Sequence, residues 1–307
     1  MKIAMLYASW ETFGEPWSTP QGVREEFERR GFEVSHYNLY HDDGVLFKDN
    51  VRHYSNQGLN KLHQDYKSGY QPDIILCMDY GPWDASHFDK RFFTNSVLVA
   101  ETGDEPQAHR NHWHKKDRVD LLLSPDAPCT LNYNQNGGNA IWWTHHADEN
   151  VFHSSSDIEP SFDCVTTCGS RGNGLTEEIK EALGDGFNNE RYFYGKEHAE
   201  RLCMGNIVFQ CSQYGEITRR IFEGMACGKM VLTDRLESYR DMDKLFVEGE
   251  EIVYYDDAQD AIDKIRYYTE NPVERDRIAA AGHARVMRDH TVKARVDQLL
   301  EAVNDLK

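Results

Sequence analysis

GNIVFQCSQYGEITRRIFEGMACGKMVLTD, residues 205–234, decides the fold. GNIVFQCS (205–212) is a short apolar run that reads as a strand, EITRRIFEGMACG (216–228) reads as a helix, and MVLTD (230–234) as the next strand. Upstream, FDCVTTCG (162–169) reads as a strand, GLTEEIKEAL (174–183) as a helix and NERYFYG (189–195) as a strand. Downstream come a short strand, EIVYYDD (251–257), and two helices, 258–271 and 272–290, the second with Pro272 near its N1 position. An amphipathic stretch, TVKARVDQLLEAVNDL (291–306), ends the pattern.

The first half repeats the scheme. KIAMLYAS (2–9) reads as a buried strand, GVREEFERR as a helix with Val23 and Phe27 four apart and Gly31 as its stop, and FEVSHYNL (32–39) as a second strand. PDIILCMDY (72–80), NSVLVAE (95–101), VDLLLSPD (119–126) and NAIWWTHH (139–146) follow as further strands. Strands apolar along their whole length suit a parallel sheet covered on both faces. Each ends in a polar loop, and in open α/β sheets ligands bind beyond those carboxyl ends. The first turn lacks G-x-G-x-x-G, so dinucleotide binding there has no support. The chain turns polar around Glu149–Pro160, which sets a boundary between two α/β domains, 1–150 and 151–290, with 291–307 as a final helix expected to brace the first domain.

Composition narrows the function classes. The 307 residues carry 52 acidic and 34 basic side chains, a net charge of −18 that repels polyanions at long range and disfavours nonspecific nucleic-acid binding. No apolar run is long enough for a membrane-spanning helix, and the N-terminus is too polar for a signal peptide. These features point to a cytoplasmic protein. The seven cysteines are odd in number, none has C-x-x-C spacing, and most sit in apolar runs, so they read as reduced core thiols.

Residues 212–234 resemble the nucleotide-sugar half of GT-B glycosyltransferases, in particular the CgeB-like (spore maturation) and group 1 families. The resemblance continues through 245–291, and LLLSPDAPCTLNYNQNGGNAIWWTHHADENVF (121–152) is similar to the run that closes the N-terminal domain of CgeB-like proteins. It implies two Rossmann-like domains facing a cleft, a nucleoside-diphosphate sugar as donor (a UDP-sugar first among the choices), no catalytic metal, and transfer to an acceptor hydroxyl. The acceptor is left open among glycan, protein, small molecule and modified DNA.

The chemistry of a diphosphate, a ribose diol and a leaving group then sorts the candidates. Gly169, Gly172 and Gly174 let the backbone approach an anion at a helix N-terminus, and Arg171 can add a bidentate contact; an ordinary strand–helix turn is the alternative. Ile217 and Thr218 belong to the expected first turn of the next helix, with Arg219 and Arg220 behind them. The resemblance gives Glu223 the ribose hydroxyls, a task suited to an acceptor-only carboxylate. Gly195 and Lys196 fall where the family places base or diphosphate loops, and Lys196 can neutralise the leaving group or be plain surface charge. Many group 1 enzymes have a second glutamate eight positions earlier, where this chain has Gly215, with Glu216 one off.

On the acceptor side, Glu101, Asp104 and Glu105 cluster after a strand. Asp104 is the first choice as general base of an inverting reaction and Glu101 the second, with a capping or structural acid as the alternative. Asp79, His145 and His146 lie at other strand ends. AHRNHWHKK (108–116) can present Trp113 as a stacking platform to a sugar or a nucleic acid, or be a polar helix face. Asp241-Met242-Asp243 matches an Asp-x-Asp metal motif but sits outside its proper context. Three alternatives accompany the transferase reading: a phage-type DNA glycosyltransferase acting on hydroxymethylated bases, a sugar-nucleotide 2-epimerase, and a non-catalytic sugar-nucleotide-binding module.

Overall fold

The computed structural model describes residues 1–7, 19–39, 56–78, 88–168, 174–190 and 193–306, together with the backbone of 47–48 and 51–52. The chain divides into two compact units, Met1–Thr144 with Arg295–Lys307, and His145–Ala294.

In the first unit the elements run β1 (Lys2–Tyr7), α1 (Thr19–Arg29), β2 (Glu33–Asn38), β3 (Phe47–Lys48), β4 (Val51–Arg52), α2 (Gln57–Lys67), β5 (Ile74–Cys77), β6 (Val97–Glu101), α3 (His109–His112), β7 (Leu121–Ser124), α4 (Ala127–Gln135) and β8 (Ala140–Trp142). Six strands form one parallel sheet in the order β2-β1-β5-β6-β7-β8. β5 and β7 are buried at every residue, as continuous apolar sequence requires of a sheet covered on both faces. β3 and β4 pair separately as a short antiparallel ribbon.

The second unit contains β9 (Phe162–Val165), α5 (Leu175–Leu183), β10 (Phe187–Asn188), α6 (Gly195–Cys203), β11 (Gly205–Gln210), α7 (Arg219–Ala226), β12 (Met230–Asp234), α8 (Met242–Leu245), β13 (Val253–Tyr255), α9 (Ala258–Glu270) and α10 (Pro272–Asp289). Its five strands are parallel in the order β10-β9-β11-β12-β13. α11 (Val292–Asn304) closes the chain, and from Arg295 it belongs to the first unit. There it buries Val296, Leu299 and Val303, Trp143 Nε1 donates to the Arg295 carbonyl at 3.1 Å, and Arg295 Nη2 donates to Thr144 Oγ1 at 2.8 Å. No helix among the described residues is long and apolar enough to cross a membrane.

Two expectations about local structure need correction. The strand expected at 189–195 lies earlier, at Phe187–Asn188, and Gly195 opens a helix instead of ending a strand. A backbone at φ +51 explains the switch, because that left-handed value breaks an extended run and glycine adopts it freely. The helix expected from Glu216 begins at Arg219. Gly215 (φ +70) and the Glu216 carboxylate, which accepts from the amides of Gln213 (3.1 Å) and Tyr214 (2.5 Å), fold the preceding residues into a turn.

Candidate functional site

The strand order of the second sheet reverses about β9, with β10 on one side and β11, β12 and β13 on the other. Such a switch point leaves a crevice at the carboxyl ends of the central strands. Those ends continue here as Thr166–Cys168 and as the turn that leads into α7. α7 is held close to the sheet by Gly224, where a Cβ would stand 2.9 Å from Val208 Cγ1 and 3.1 Å from Val231 Cγ2.

The start of α7 is built to receive something. Thr218 is its N-cap, with φ −101 and ψ 152, yet its hydroxyl makes no capping bond. Thr218 is 9% exposed, and both its Oγ1 and the Arg219 Nε are buried with no hydrogen-bond partner among the described residues. Leaving a buried donor unpaired costs about 1–3 kcal/mol, so such atoms call for an explanation. The first-turn amides also lack intrahelical acceptors, and the helix dipole favours negative charge at this end. Hydroxyl, guanidinium and amides are all groups able to donate to an anion.

Glu223 lies one turn further on the same helix and is 4% exposed. No hydrogen-bond donor touches its carboxylate among the described residues; His198 Nδ1 is nearest, at 3.7 Å from Oε2. His198, from α6, turns its Nε2 to Thr167 Oγ1 at 2.9 Å. Burial pushes the His198 imidazole down; Glu223 pulls it up, and the charges of Arg220 and Arg219 push it further down. His198 is therefore neutral at pH 7. Glu223 keeps open acceptor sites, the state that suits a ribose diol. Sequence reasoning passed over His198 and Thr167, because one histidine in KEHAE carries no pattern.

The other expected donor-side residues divide. Ile217 is buried at 5% exposure, so only its backbone can face a ligand. Gly195 is buried at the first position of α6. The Lys196 side chain is 87% exposed and lies 3.8 Å from Glu200, a solvated pair on the helix surface. Arg220 is half-buried. Gly169, Arg171, Gly172 and Asp79 lie outside the described residues, while Gly174, at φ +68, caps α5. Asp241 takes the left-handed φ of +60 ahead of α8 and pairs with Lys244 at 2.8 Å.

In the first unit, the three acids after β6 have different environments. Asp104 is exposed, in a left-handed turn (φ 56), and its carboxylate holds no hydrogen bond among the described residues. Glu101 is buried at the end of β6. Glu105 is 4% exposed and saturated. Its Oε1 accepts from Tyr133 Oη at 2.6 Å and faces His109 Nδ1 at 3.1 Å, and its Oε2 accepts from Thr102 Oγ1 at 2.8 Å and from the Ser124 hydroxyl. His109 Nε2 meets Asn132 Oδ1 at 3.1 Å, and its pKa is raised, chiefly by Glu105. Glu105, His109 and Cys129 hold ligand atoms within 4.8 Å of one another. The oxygens of Glu105 and the nitrogens of His109 are already committed, so the cluster reads as a hydrogen-bonded pin joining the β6 loop to α4.

Segment 108–116 exposes Arg110, Asn111 and His114 and turns its other side chains inward. Trp113 stacks on Tyr133 (5.9 Å between centroids, 20°) and packs against the core, and Lys115 and His112 are 3% and 6% exposed. Burial brings the Lys115 ammonium down to about 6, against the opposing pull of Cys77, Glu105 and Glu101, and brings His112 down to about 3. His146 is buried and His145 half-buried.

Comparison with known proteins follows the same division. Residues 166–301 match the glycosyl transferase-like family. Sucrose-phosphate synthase from Thermosynechococcus elongatus superposes with a TM-score of 0.72 at 13% identity, covering 99% of this chain and 98% of that one. The chain has the GT-B fold. Two further GT-B structures are similar to it. Anabaena HepE in complex with UDP-glucose has a TM-score of 0.67 at 14% identity, covering 99% and 100% of the two chains. The pneumococcal O-GlcNAc transferase GtfA in complex with UDP and GlcNAc has a TM-score of 0.67 at 9% identity, covering 100% and 99%. Comparison with curated protein sequences returns no match. Within this GT-B chain the matched region starts at the end of β9, so it takes in Thr167, His198, Thr218, Arg219 and Glu223.

Proposed function

We propose that the protein transfers a sugar from a nucleoside-diphosphate sugar, with UDP-sugars the first donors to test, to an acceptor hydroxyl. The observation that carries this reading is the pair of buried atoms without a partner at the start of α7, Thr218 Oγ1 and Arg219 Nε, with the buried Glu223 carboxylate one turn on. In this reading the diphosphate sits over the α7 N-terminus. Its departing charge is met by backbone amides, the Thr218 hydroxyl and the guanidinium groups of Arg219 and Arg220, an electrostatic stabilisation that needs no divalent ion. Glu223 accepts from the ribose hydroxyls, while His198, held by Thr167, fills the space behind it. On the acceptor side Asp104 is the candidate base if the reaction inverts, since Glu105 is saturated and Asp104 is not. The seven unpaired cysteines suit a reducing compartment, which supports a cytoplasmic location.

The test is nucleoside diphosphate release from UDP-, GDP-, ADP- and dTDP-sugars, with thermal shift on the same panel, in chelator and in added Mg2+. Release from one donor, persisting in chelator and lost in Glu223→Ala, is the expected result. No release and no shift with any donor would overturn the reading.

A further inference from the structure

The second unit holds five of the seven cysteines; Cys168 and Cys211 are neighbours, with the Cys211 amide pointing to the Cys168 sulfur, and Cys203 and Cys227 form a second pair whose thiols influence each other's ionisation. The first pair lies at the switch point. β9 and β11 pair as far as Val165 and Val208, three residues before Cys168 and Cys211. Hydrogen-bond donors gather on the Cys168 sulfur. The Cys211 amide points to it at 3.3 Å and the Thr166 hydroxyl at 3.0 Å. When protonated, the thiol has acceptors in Gln210 Oε1 at 2.8 Å and the Phe209 carbonyl at 3.6 Å. Burial opposes ionisation, but the Cys211 thiol, the charge of Arg220, the Thr166 hydroxyl and the Cys211 amide outweigh it and bring the Cys168 thiol down to about 6. Cys164 lacks these donors, and burial pushes its thiol well up. Access to the two pairs differs only at Cys211, which is half-exposed; Cys168, Cys203 and Cys227 are 1%, 2% and 1% exposed.

We propose that Cys168 and Cys211 form a redox-active dithiol that a hydroperoxide converts to an intramolecular disulfide. The Cys168 thiolate attacks the peroxide oxygen; the O–O bond breaks, an S–O bond forms, and the alcohol or water leaves with a proton. The Cys211 sulfur then displaces hydroxide from the sulfenic acid, and the thiol proton leaves with it as water. Two thiols and one hydroperoxide give one disulfide, one alcohol and one water, and an added dithiol reverses the change. The two cysteines stand at the roots of the segments that lead to the glycine-rich stretch after Cys168 and to α7.

The experiment treats the full chain with hydrogen peroxide, blocks remaining thiols with N-ethylmaleimide and maps the peptides by mass spectrometry. A Cys168–Cys211 cross-link that forms before any Cys203–Cys227 link, and that dithiothreitol removes, is the expected result. In Cys211→Ser the cross-link is absent and oxygen accumulates on Cys168. Oxidation elsewhere without a Cys168–Cys211 link, in wild-type protein that remains folded by circular dichroism, overturns the proposal. A second arm adds UDP and rests on the donor reading. Diphosphate draws Arg220 away from the thiolate and slows cross-linking at least several-fold. A cross-link that forms at the same rate with saturating UDP leaves the dithiol standing and counts against the donor reading alone.

Discussion

Glu223→Gln separates a ligand-binding carboxylate from a structural one. The substitution keeps the shape of the side chain on α7 and removes its charge and one acceptor oxygen. The carboxylate has no hydrogen-bond donor in the described residues, and its nearest polar neighbour, a neutral His198, is 3.7 Å away. The folded protein therefore loses no hydrogen bond, and the desolvation of a buried charge is relieved, so the thermal midpoint without ligand stays level or rises. Binding is different. A hydrogen bond to a charged group contributes about 1.5–3 kcal/mol, so losing charge-assisted contact with the ribose diol weakens UDP by about 10- to 150-fold. Isothermal titration with UDP and 2′-deoxy-UDP reads this directly. Wild type binds the deoxy ligand more weakly, and the variant discriminates less between the two, because the partner of that hydroxyl has already been lost. A variant that stays folded and binds UDP within about twofold of wild type, or one whose losses add fully with the deoxy substitution, would refute the placement of Glu223 on the ribose.

Other outcomes follow from buried groups. Lys115 is 97% buried by its 3% exposure, and its folded pKa of about 6 lies below the unfolded value near 10.4. The unfolded chain binds the extra proton between those values, so stability rises by about 1.4 kcal/mol per pH unit from pH 6 to about pH 10; Lys115→Met removes that slope and raises the midpoint at pH 7 in chemical denaturation. Gly224→Ala drives a methyl toward Val208 and Val231 and costs about 1–3 kcal/mol of stability by the same measurement, with UDP affinity reduced as α7 shifts. Tyr133→Phe removes a 2.6 Å hydrogen bond to the Glu105 carboxylate and costs about 1.5–3 kcal/mol of stability while UDP affinity is unchanged.

The sheets were the legible part. β5 is apolar at every position and β7 at all but its last, Ser124, and such sequence fits a doubly covered parallel strand, so the two α/β halves and most strands could be read directly. Errors came where local propensity and backbone geometry part. NERYFYG is aromatic and reads extended, but the left-handed Gly195 starts α6 inside it. Glu216-Ile217-Thr218 reads helical, but the Glu216 side chain binds the backbone amides behind it and delays the helix to Arg219. The candidate residues of α7 could be named from sequence because they form one continuous string. His198 and Thr167 could not, since His198 approaches Glu223 from α6 and Thr167 meets His198 from the segment after β9, and that meeting depends on strand order. The sequence put Asp104 ahead of Glu101 but gave no physical ground for separating the acids at 101, 104 and 105. Their difference is burial, which left Asp104 in solvent and surrounded Glu105 with donors.

The central claim is that α7 receives the donor's diphosphate and ribose. Hydrogen–deuterium exchange of the full chain with and without saturating UDP tests it most directly, because the free first-turn amides of α7 exchange readily until a ligand accepts from them. The account predicts protection concentrated in peptides covering 212–223, with a smaller effect around Thr167 and His198, and no such protection in Glu223→Gln at the same UDP concentration. Protection confined to other segments, or none at a concentration where binding is shown by calorimetry, would contradict it.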